Sequence, residues 1–512
     1  MPKLQGGGNT GASDYHFTAG KYWRNYVDEQ GASIKPENWR EPQSRDELRS
    51  ILEGLQGTTR VRAVGSGHAD SDVARPDDVL VDMKLMTAAL SMHSFHDAPA
   101  GLRDGQRLFR VEAGITIREL NDKLDREGLA LANMGSYDGQ KFIGAACTGT
   151  HGSGLKWGPL ADSIASIELL TVEKNSAGRR VVALKRIEPR SGITDPGRFG
   201  QNASEQGMQL VVDDDLFHAC VVSMGCLGIV YAVTLIVVPA YWLQEVRQQG
   251  AWSKLKHKLP GMVDDGSHYD LWILPHEYHD SNDHACMVLK RTQCPAGSGK
   301  PERPAEKGAD FVAWIAKTLG TKAIGKALSS HPELFTGYMV DYFSKHDGDT
   351  FKSVSHNVYV LAIGADIQAK SSEIHVPLER SVEAVDAVLK LAKRNEAKGL
   401  FHTSPLGVRF IDASEHWLSM SYARRTCSIE IPLILGTKGA ETILNQIEKA
   451  LVPLGGRPHW GQHNQMTSRK ARDMYPRFGD WLGFYRRFNR YGTFENTFTK
   501  RMGFPSEVRR SA

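Results

Sequence analysis

The sequence predicts an α+β fold, because strand and helix patterns alternate at short spacing along the whole chain. Two observations carry this prediction. Before Pro239, short apolar strand patterns are separated by helices whose apolar residues recur on one face. After Tyr241, strand patterns with alternating residues are separated by further helix patterns, which indicates a second sheet with helices on one face.

The first segment opens with an amphipathic helix and continues with three short apolar strands and a second helix. In chain order these are Arg45 to Leu55, Val61 to Val64, Val79 to Met83, Leu108 to Val111 and Ile117 to Leu129. The second segment holds strand patterns at Tyr269 to Leu274, Ala285 to Lys290, Ser355 to Ile363, Gly407 to Ile411 and Thr426 to Leu433. Its clearest helix patterns are Glu379 to Lys393 and Ala440 to Leu451.

Composition and charge exclude several classes of protein. Of the 512 residues, 41% are hydrophobic and 24% are charged, which argues against a mostly disordered chain. A net charge of +4 is too small to make nucleic acid the main partner. The six cysteines form no CxxC pair and match no zinc site or disulfide framework, so we expect no metal and a reducing compartment, the cytoplasm. Residues 1–21 lack the apolar stretch of a signal peptide and are interpreted as a flexible tail.

Two segments leave membrane contact open as an alternative. Ala219 to Leu243 carries no charged residue and is long enough to cross a bilayer, but its glycines and its β-branched run favour a buried strand. Phe311 to Leu328 is amphipathic. We interpret it as a helix packed on its own domain, with docking on a membrane or a partner as the alternative.

Three glycine-rich segments follow or precede strands. The first is Gly65, Ser66 and Gly67 before His68, the second is Gly144 to Gly154, and the third is the turn before the strand that starts at Ile229. Glycine turns let backbone N–H groups converge on an anion, because no side chain blocks the approach. The second segment is also rich in hydroxyl residues, which suits a flat cofactor that bears phosphate.

In this order and spacing, the three segments resemble the flavoproteins of the vanillyl-alcohol oxidase (PCMH-type) FAD-binding superfamily. Within it they resemble most the sugar-1,4-lactone oxidase and alditol oxidase group, which also shows H-W-x-K and G-x-F-x-N near the C-terminus. Here His459 and Trp460 precede Gln462, and Gly492 precedes Phe494 and Asn496. The resemblance implies a two-lobed FAD-binding domain at 22–240, a cap or substrate domain with an antiparallel sheet and helices at 241–454, and a C-terminal segment, 455–512, that completes the FAD site.

The resemblance also implies which residues hold FAD, with His68 bonded covalently to the flavin. Neutral imidazole is a nucleophile near pH 7, which makes this bond chemically reasonable; a histidine that only forms hydrogen bonds is the alternative. Ala69 stands where the family commonly has Ser. Gly135 resembles the oxidases, in which O2 reaches the reduced ring, and Ile229 would hold the adenine end. The expected cofactor-binding residues are Gly65, Ser66, Gly67, His68, Ala69, Gly135, Ser136, Gly144, Thr148, Gly149, Thr150, His151, Gly152, Ser153 and Ile229.

In the cap domain the family often shows Glu-x-Arg on one strand and a lysine in H-W-x-K. This chain keeps Arg409 but has Gly407 in place of the glutamate and Gln462 in place of the lysine. A buried arginine without a carboxylate is costly, so we expect a new partner, and Glu430 is the candidate if its strand neighbours that of Arg409. A solvent-facing Glu430 is the alternative.

The resemblance implies an FAD-dependent oxidoreductase that oxidises a CH–OH group of a polyol, sugar lactone, glycoside or related small alcohol, with O2 as the acceptor. Arg409 would stabilise negative charge, Glu430 or His459 would be the base, and Gln462 would lie near the ring; for His459 a structural role beside Trp460 is the alternative. A dehydrogenase of the same fold and a flavin-binding protein without turnover remain open.

Overall fold

The computed structural model describes residues 22–92, 102–103, 105–202, 207–278, 282–297, 320–361 and 367–504. The N-terminal tail predicted at 1–21 and the first half of the Phe311 to Leu328 helix lie outside the described residues. From Thr321 to Ser330 the chain is helical, as that pattern predicted. The molecule is mixed α and β, which confirms the predicted α+β class.

Four sheets are present among the described residues. Two small ones lie near the N-terminus. The first pairs β1 (Tyr22–Arg24) with β2 (Gly31–Ser33), and the second is parallel and contains β3 (Trp39–Arg40), β4 (Val61–Val64) and β5 (Val79–Asp82). The helix Arg45–Glu53 packs beside the second sheet, and the Ser44 hydroxyl caps its first turn.

A larger sheet follows, with order β11-β10-β9-β12-β7-β6, and β8 pairs with β12. Its strands are β6 (Ala89–Leu90), β7 (Arg107–Glu112), β8 (Leu129–Ala130), β9 (Ile164–Lys174), β10 (Arg180–Glu188), β11 (Met208–Val212) and β12 (Ile229–Pro239). Four helices accompany it: Ile117–Arg126, Phe142–Cys147, Pro196–Asn202 and Asp214–Val221. The second predicted helix therefore ends three residues early, and Leu129 begins β8.

The apolar segment Ala219 to Leu243 is divided between the end of the helix Asp214–Val221, strand β12 and the start of the next strand. Strand β12 lies between β9 and β7, where Ile229, Val233, Thr234 and Val237 are buried and its other β-branched residues are partly buried. In the part of the chain that the structure describes, no helix is long and apolar enough to cross a bilayer.

The largest sheet is antiparallel throughout, with order β16-β13-β15-β14-β18-β19-β17-β20 over the described residues. Its strands are β13 (Trp242–Ala251), β14 (His268–Ile273), β15 (Ala285–Cys294), β16 (Thr350–Val354), β17 (Ala369–Pro377), β18 (Leu406–Ile411), β19 (Thr426–Ile434) and β20 (Arg457–Pro458). The remaining helices of this part are Trp252–Met262, Thr321–Ser330, Pro332–Lys345, Ser355–Tyr359, Ser381–Glu396 and Ala440–Leu451.

One predicted strand, Ser355 to Ile363, is wrong. Strand β16 ends at Val354, and Ser355–Tyr359 is a short helix whose Val358 and Tyr359 are buried. A short buried apolar run has no period that separates a strand from a helical turn, which explains the error.

Alternation along the central strands of the large sheet separates two faces. Leu271, Val408 and Ile429 point into an apolar core shared with the helices Ser381–Glu396 and Ala440–Leu451. The alternate residues of these strands point the other way, and many of them are polar or charged. Asp270, Glu373, His375, Arg409, Ser428 and Glu430 are on this face. The large sheet contacts the second glycine segment, since the Gly154 N–H donates to the Phe410 carbonyl at 2.6 Å.

The C-terminal helices Ser468–Met474, Phe478–Phe488 and Thr497–Met502 return to the N-terminal lobe. The Val61 N–H donates to the Thr493 carbonyl at 2.8 Å. The Asn496 side chain donates to the carbonyls of Val73 at 3.1 Å and Arg75 at 3.0 Å. Strand β4 and the turn after it are therefore held by residues more than 400 positions away.

Candidate active site

The first glycine loop leaves strand β4 and is fixed by neighbouring backbone. Gly67 has φ +68°, a conformation that favours glycine, and its carbonyl accepts from the Tyr26 N–H at 2.7 Å. The Asn25 amide donates to the Ala69 carbonyl at 2.9 Å, and the Ser66 hydroxyl donates to the Gly139 carbonyl at 2.8 Å. The loop is thereby preorganised, and Gly65 and Ser66 are partly exposed.

His68 lies between two tyrosine rings. Its Nε2 is 2.9 Å from the Tyr137 hydroxyl, and its ring centroid is 4.9 Å from that of Tyr26. Burial lowers the pKa of His68 to about 3, so the imidazole is neutral at physiological pH. Neutral imidazole is the form that can act as a nucleophile.

The second loop follows the helix Phe142–Cys147. Gly149 has φ +86°, and a Cβ there would lie 2.8 Å from the Met420 side chain. The Thr150 N–H donates to the Ala145 carbonyl at 3.0 Å, and the Thr148 hydroxyl donates to the Gly144 carbonyl at 3.0 Å. Gly144 is exposed and has no atom within 4 Å of the position of a Cβ. The loop therefore presents backbone and hydroxyl groups with little side-chain cover.

Buried Asn133, just upstream of Gly135, supports a polar ligand here. Neither its amide nitrogen nor its amide oxygen has a hydrogen-bond partner, and a Cβ at Gly152 would lie 2.2 Å from that oxygen. A buried amide without partners is costly, so a group with a donor and an acceptor edge fits this position. The flavin ring of FAD has both, and the residues present fit that cofactor.

Three of the predicted cofactor residues also have structural roles. A Cβ at Gly135 would lie 3.1 Å from the His151 carbonyl, which gives the glycine a packing reason besides oxygen access. The Ser153 hydroxyl donates to the Tyr269 carbonyl and accepts from the Phe410 N–H at 3.2 Å, so it ties the loop to the large sheet. Ile229 starts strand β12 with its side chain buried.

On the polar face of the large sheet, Arg409 has three partners. Its Nη1 donates to Glu430 Oε2 at 3.1 Å, its Nη2 donates to the Ser136 hydroxyl at 3.3 Å, and its Nε lies 3.4 Å from Asp270 Oδ2. Strands β18 and β19 are neighbours, as the predicted pairing of Arg409 with Glu430 required. Burial opposes the charge on Arg409, but the Asp270 and Glu430 carboxylates outweigh it and raise the pKa of the guanidinium.

Gln462 bridges two carboxylates. Its Nε2 donates to Glu373 Oε2 at 3.2 Å and to Glu430 Oε1 at 3.5 Å. The segment that carries Gln462 is anchored on two sides. The Gly461 carbonyl accepts from the N–H of Asp70, just after the first glycine loop, at 2.8 Å, and the His459 N–H donates to the carbonyl of Glu373 on β17 at 2.8 Å. Burial lowers the pKa of His459 to about 4, and its Nδ1 accepts from the Gly461 N–H at 3.0 Å.

His151 points away from the loop opening and into the sheet. Its Nδ1–H donates to the Gly152 carbonyl at 2.7 Å, and its Nε2 lies 3.0 Å from Glu373 Oε1. With His375, these side chains bring one ligand atom each within 4.8 Å of one another, a cluster in the described part of the chain that the sequence did not predict.

The structure thus brings Ser136, Arg409, Glu430 and Gln462 together beside the glycine loops. Sequence reasoning missed Asp270, Glu373, Tyr137 and Asn133. Asp270 carried a usable signal, since it stands between apolar residues on a predicted strand, as Glu430 does. Strand β17, which carries Glu373, was not predicted at all.

Known proteins resemble this chain over most of its length. The model of the D-arabinono-1,4-lactone oxidase family matches residues 233–502, and the model of an FAD binding domain matches residues 36–174. The chain is 27% identical over 485 residues to L-gulono-1,4-lactone dehydrogenase of Mycobacterium tuberculosis, covering 94% of this chain and 98% of that protein. It is 26% identical over 461 residues to alditol oxidase of a Streptomyces species, covering 90% and 94%.

Among solved structures, cholesterol oxidase from B. sterolicum shares the fold. The TM-score is 0.69 at 13% sequence identity, over 95% of this chain and 97% of that one. The matches confirm the predicted resemblance, the fold class and FAD as the cofactor. The chain therefore belongs to the D-arabinono-1,4-lactone oxidase family and is an FAD-dependent oxidoreductase.

Proposed function

We propose that this protein oxidises a CH–OH group of a small polyol, sugar lactone, glycoside or related alcohol, and that O2 takes the electrons and yields hydrogen peroxide. The observation that carries the proposal is the contact of Arg409 with Glu430 and Ser136 beside the glycine loops. A carboxylate and a guanidinium in contact supply a proton acceptor and a stabiliser of developing negative charge, which are the two groups that alcohol oxidation needs.

In this mechanism Glu430 takes the hydroxyl proton of the substrate, and Arg409 stabilises the negative charge that develops on the oxygen. Bound FAD supplies the acceptor for the hydride that leaves the carbon. Asp270, which is 0% exposed, contacts the Nε of Arg409 and so holds the guanidinium with its two Nη atoms facing Glu430 and Ser136. His459 is the alternative base, and its low pKa makes it the weaker proton acceptor.

The substrate class is supported by the relatives and by two positions in the site. The similar proteins are named for a sugar lactone and for alditols. Gly407 is the cross-strand partner of Glu430, and a Cβ there would make only ordinary contact with it at 3.6 Å. The carboxylate of Glu430 thus takes the place of the family glutamate from the neighbouring strand, and the space at Gly407 suits a different or larger alcohol.

We further propose that His68 is bonded covalently to the flavin. The neutral imidazole, held between Tyr26 and Tyr137 in the first glycine loop, supports this role. In this proposal residues 22–240 bind FAD, residues 241–454 form the substrate wall, and residues 455–512 complete the site. The six free cysteines support a reducing location, the cytoplasm.

Peroxide formation and anaerobic bleaching of the flavin, measured with a panel of polyols, aldonolactones and glycosides, test the reaction. We expect both signals with at least one class, and a loss of about 10²–10⁴-fold in kcat/KM for Glu430→Gln, the usual contribution of a general base. Glu448→Gln is the control, because Glu448 is a buried glutamate that pairs with Lys470 at 2.8 Å, outside the site.

Bleaching without peroxide would make the protein a dehydrogenase, as the mycobacterial relative is named. No bleaching with any alcohol would contradict the proposed activity and leave a flavin-binding protein. Flavin that stays with the acid-denatured polypeptide, and is released from His68→Ala but not from Tyr137→Phe, would support the covalent bond. Release from the unaltered protein would refute it.

A further inference from the structure

The register of the large sheet sets two buried carboxylates opposite each other. Glu430 on β19 has Gly407 of β18 as its partner on one side and Glu373 of β17 on the other. Like charges at directly opposite positions on neighbouring strands destabilise a sheet. The surroundings of the two carboxyl groups must therefore differ, or one of them must bind a proton.

Their surroundings do differ. Glu373 is 4% exposed and accepts two hydrogen bonds, from the Ser428 hydroxyl and from Gln462 Nε2 at 3.2 Å, and its Oε1 lies 3.0 Å from His151 Nε2. The Glu430 side chain is 25% exposed and is contacted by Arg409 at 3.1 Å and by the same Gln462 amide at 3.5 Å. The Ser428 hydroxyl and the Gln462 amide converge on Glu373, which suits a carboxylate that stays ionised, whereas partial exposure suits one that exchanges protons.

The protonation of His151 follows from its two partners. Its Nδ1 faces the Gly152 carbonyl, which can only accept, so Nδ1 carries a proton. If Glu373 is ionised, Nε2 must donate to it, and His151 is then a cation. The orientation of Gln462 agrees, because its Nε2 faces both carboxylates and its Oε1 is buried without a partner.

We propose that Glu373 and Glu430 are an unequal carboxyl pair, in which Glu373 is the permanent anion that holds His151 as a cation and Glu430 is the member that takes the hydroxyl proton of the substrate and afterwards releases it to solvent. The assignment to the substrate proton rests on the proposed function. Glu373 is accordingly a positioning residue. It contacts His151 of the second glycine loop directly, and it contacts the base Glu430 through the Gln462 amide.

The electrostatics act in the same direction. Burial raises the pKa of Glu430, Arg409 opposes that shift, and Glu373 and Asp270 add to it. For Glu373, burial acts to raise the pKa, but His151 outweighs it and holds the pKa well below its usual range. The charged and titratable groups that face this pair from the strands and loops around it are Asp270, Arg409, His151, His375, His459 and Asp70, whose own pKa is raised to about 8 by burial.

In the reaction, the O–H bond of the substrate breaks and its proton forms a bond to a carboxylate oxygen of Glu430. Glu373 gains and loses nothing. Its negative charge raises the proton affinity of Glu430, so removal of that charge should make Glu430 a weaker base. The acid limb of the pH profile of kcat/KM reports the base in the free enzyme.

Glu373→Gln tests this in the FAD-loaded protein. We expect the acid limb of kcat/KM to move down by about one pH unit, the order of shift that one nearby charge produces. Glu373→Asp keeps the charge and should restore the limb towards its original position, whereas Glu448→Gln should leave it unchanged. A limb that does not move in Glu373→Gln, or that moves up, would overturn the proposal.

A second measurement needs no substrate. Infrared difference spectra of the FAD-loaded protein across a pH titration report the C=O stretch of protonated carboxyl groups. We expect one such band to vanish in Glu430→Gln and to titrate at lower pH in Glu373→Gln. A band that vanishes in Glu373→Gln instead, or one equivalent of a metal bound to the unaltered protein and lost in His375→Ala, would refute the pair. Because these signals do not depend on turnover, they separate this inference from the proposed function.

Discussion

Replacing Arg409 by methionine should strongly destabilise the protein, because it removes the cation from between two carboxylates. Asp270 is 0% exposed, and both of its carboxylate oxygens lack hydrogen bonds. Its ion-pair contacts among the described residues are Arg409 at 3.4 Å and Arg291 at 3.9 Å. Without Arg409, Asp270 keeps only the longer contact, and Glu430 keeps only an amide.

Removing one partner of a buried ion pair lowers the free energy of unfolding by about 3–5 kcal/mol. The side chain of Arg409 is 13% exposed, so we expect the lower end, about 3 kcal/mol. In a domain of about 150–250 residues, each kcal/mol of destabilisation lowers the thermal midpoint by about 2–4 °C, so the midpoint should fall by roughly 10 °C.

Thermal unfolding followed by fluorescence measures this for Arg409→Met and for the double variant Arg409→Met with Asp270→Asn. The double variant removes the stranded charge and should regain at least half of the lost midpoint. Equal midpoints for the unaltered protein and Arg409→Met, or no recovery in the double variant, would refute the reasoning that Arg409 stabilises the fold by compensating buried charge.

Three further outcomes are expected. The pKa of Glu430 is raised in the folded protein, so the folded protein loses stability as the pH rises from the pKa of Glu430 in the unfolded chain to its pKa in the folded protein. Glu430→Gln should therefore raise the thermal midpoint at alkaline pH and not at acid pH, and scanning calorimetry measures this. Gly407→Glu should abolish turnover by placing a further carboxylate opposite Glu430, and adding Glu430→Gln should restore part of kcat/KM. In the His68→Ala background, where no covalent bond holds the flavin, Gly149→Ala should weaken FAD binding about tenfold, since its φ of +86° costs a side chain roughly 1–2 kcal/mol, and fluorescence of released flavin measures this.

The fold and the cofactor were predictable because their signals are local. Positive φ at Gly67 and Gly149 needs glycine at those positions, and strand alternation placed Glu430 away from Ile429 and Ile431. The pairing of Glu430 with Arg409 needed only the assumption that two consecutive strands of the cap are neighbours, which is common in antiparallel sheets.

The other half of the site was not predictable from local patterns. Glu373 lies on β17, which is inserted between β19 and β20 although it precedes both β18 and β19 in the chain. Its contact with His151 joins residues 222 positions apart. Such a contact is decided by the order of strands and by how the lobes pack, and neither follows from residue spacing.

The hydrogen bonds of Thr493 and Asn496 to β4 and its following turn set an order of events during synthesis. The first glycine loop follows β4, yet the backbone of β4 and of the turn after it is anchored by residues synthesised more than 400 positions later. A nascent chain therefore lacks these anchors until Asn496 has been made. We expect a chain that stops short of Asn496 to hold FAD less firmly, although the residues of the first glycine loop are all present.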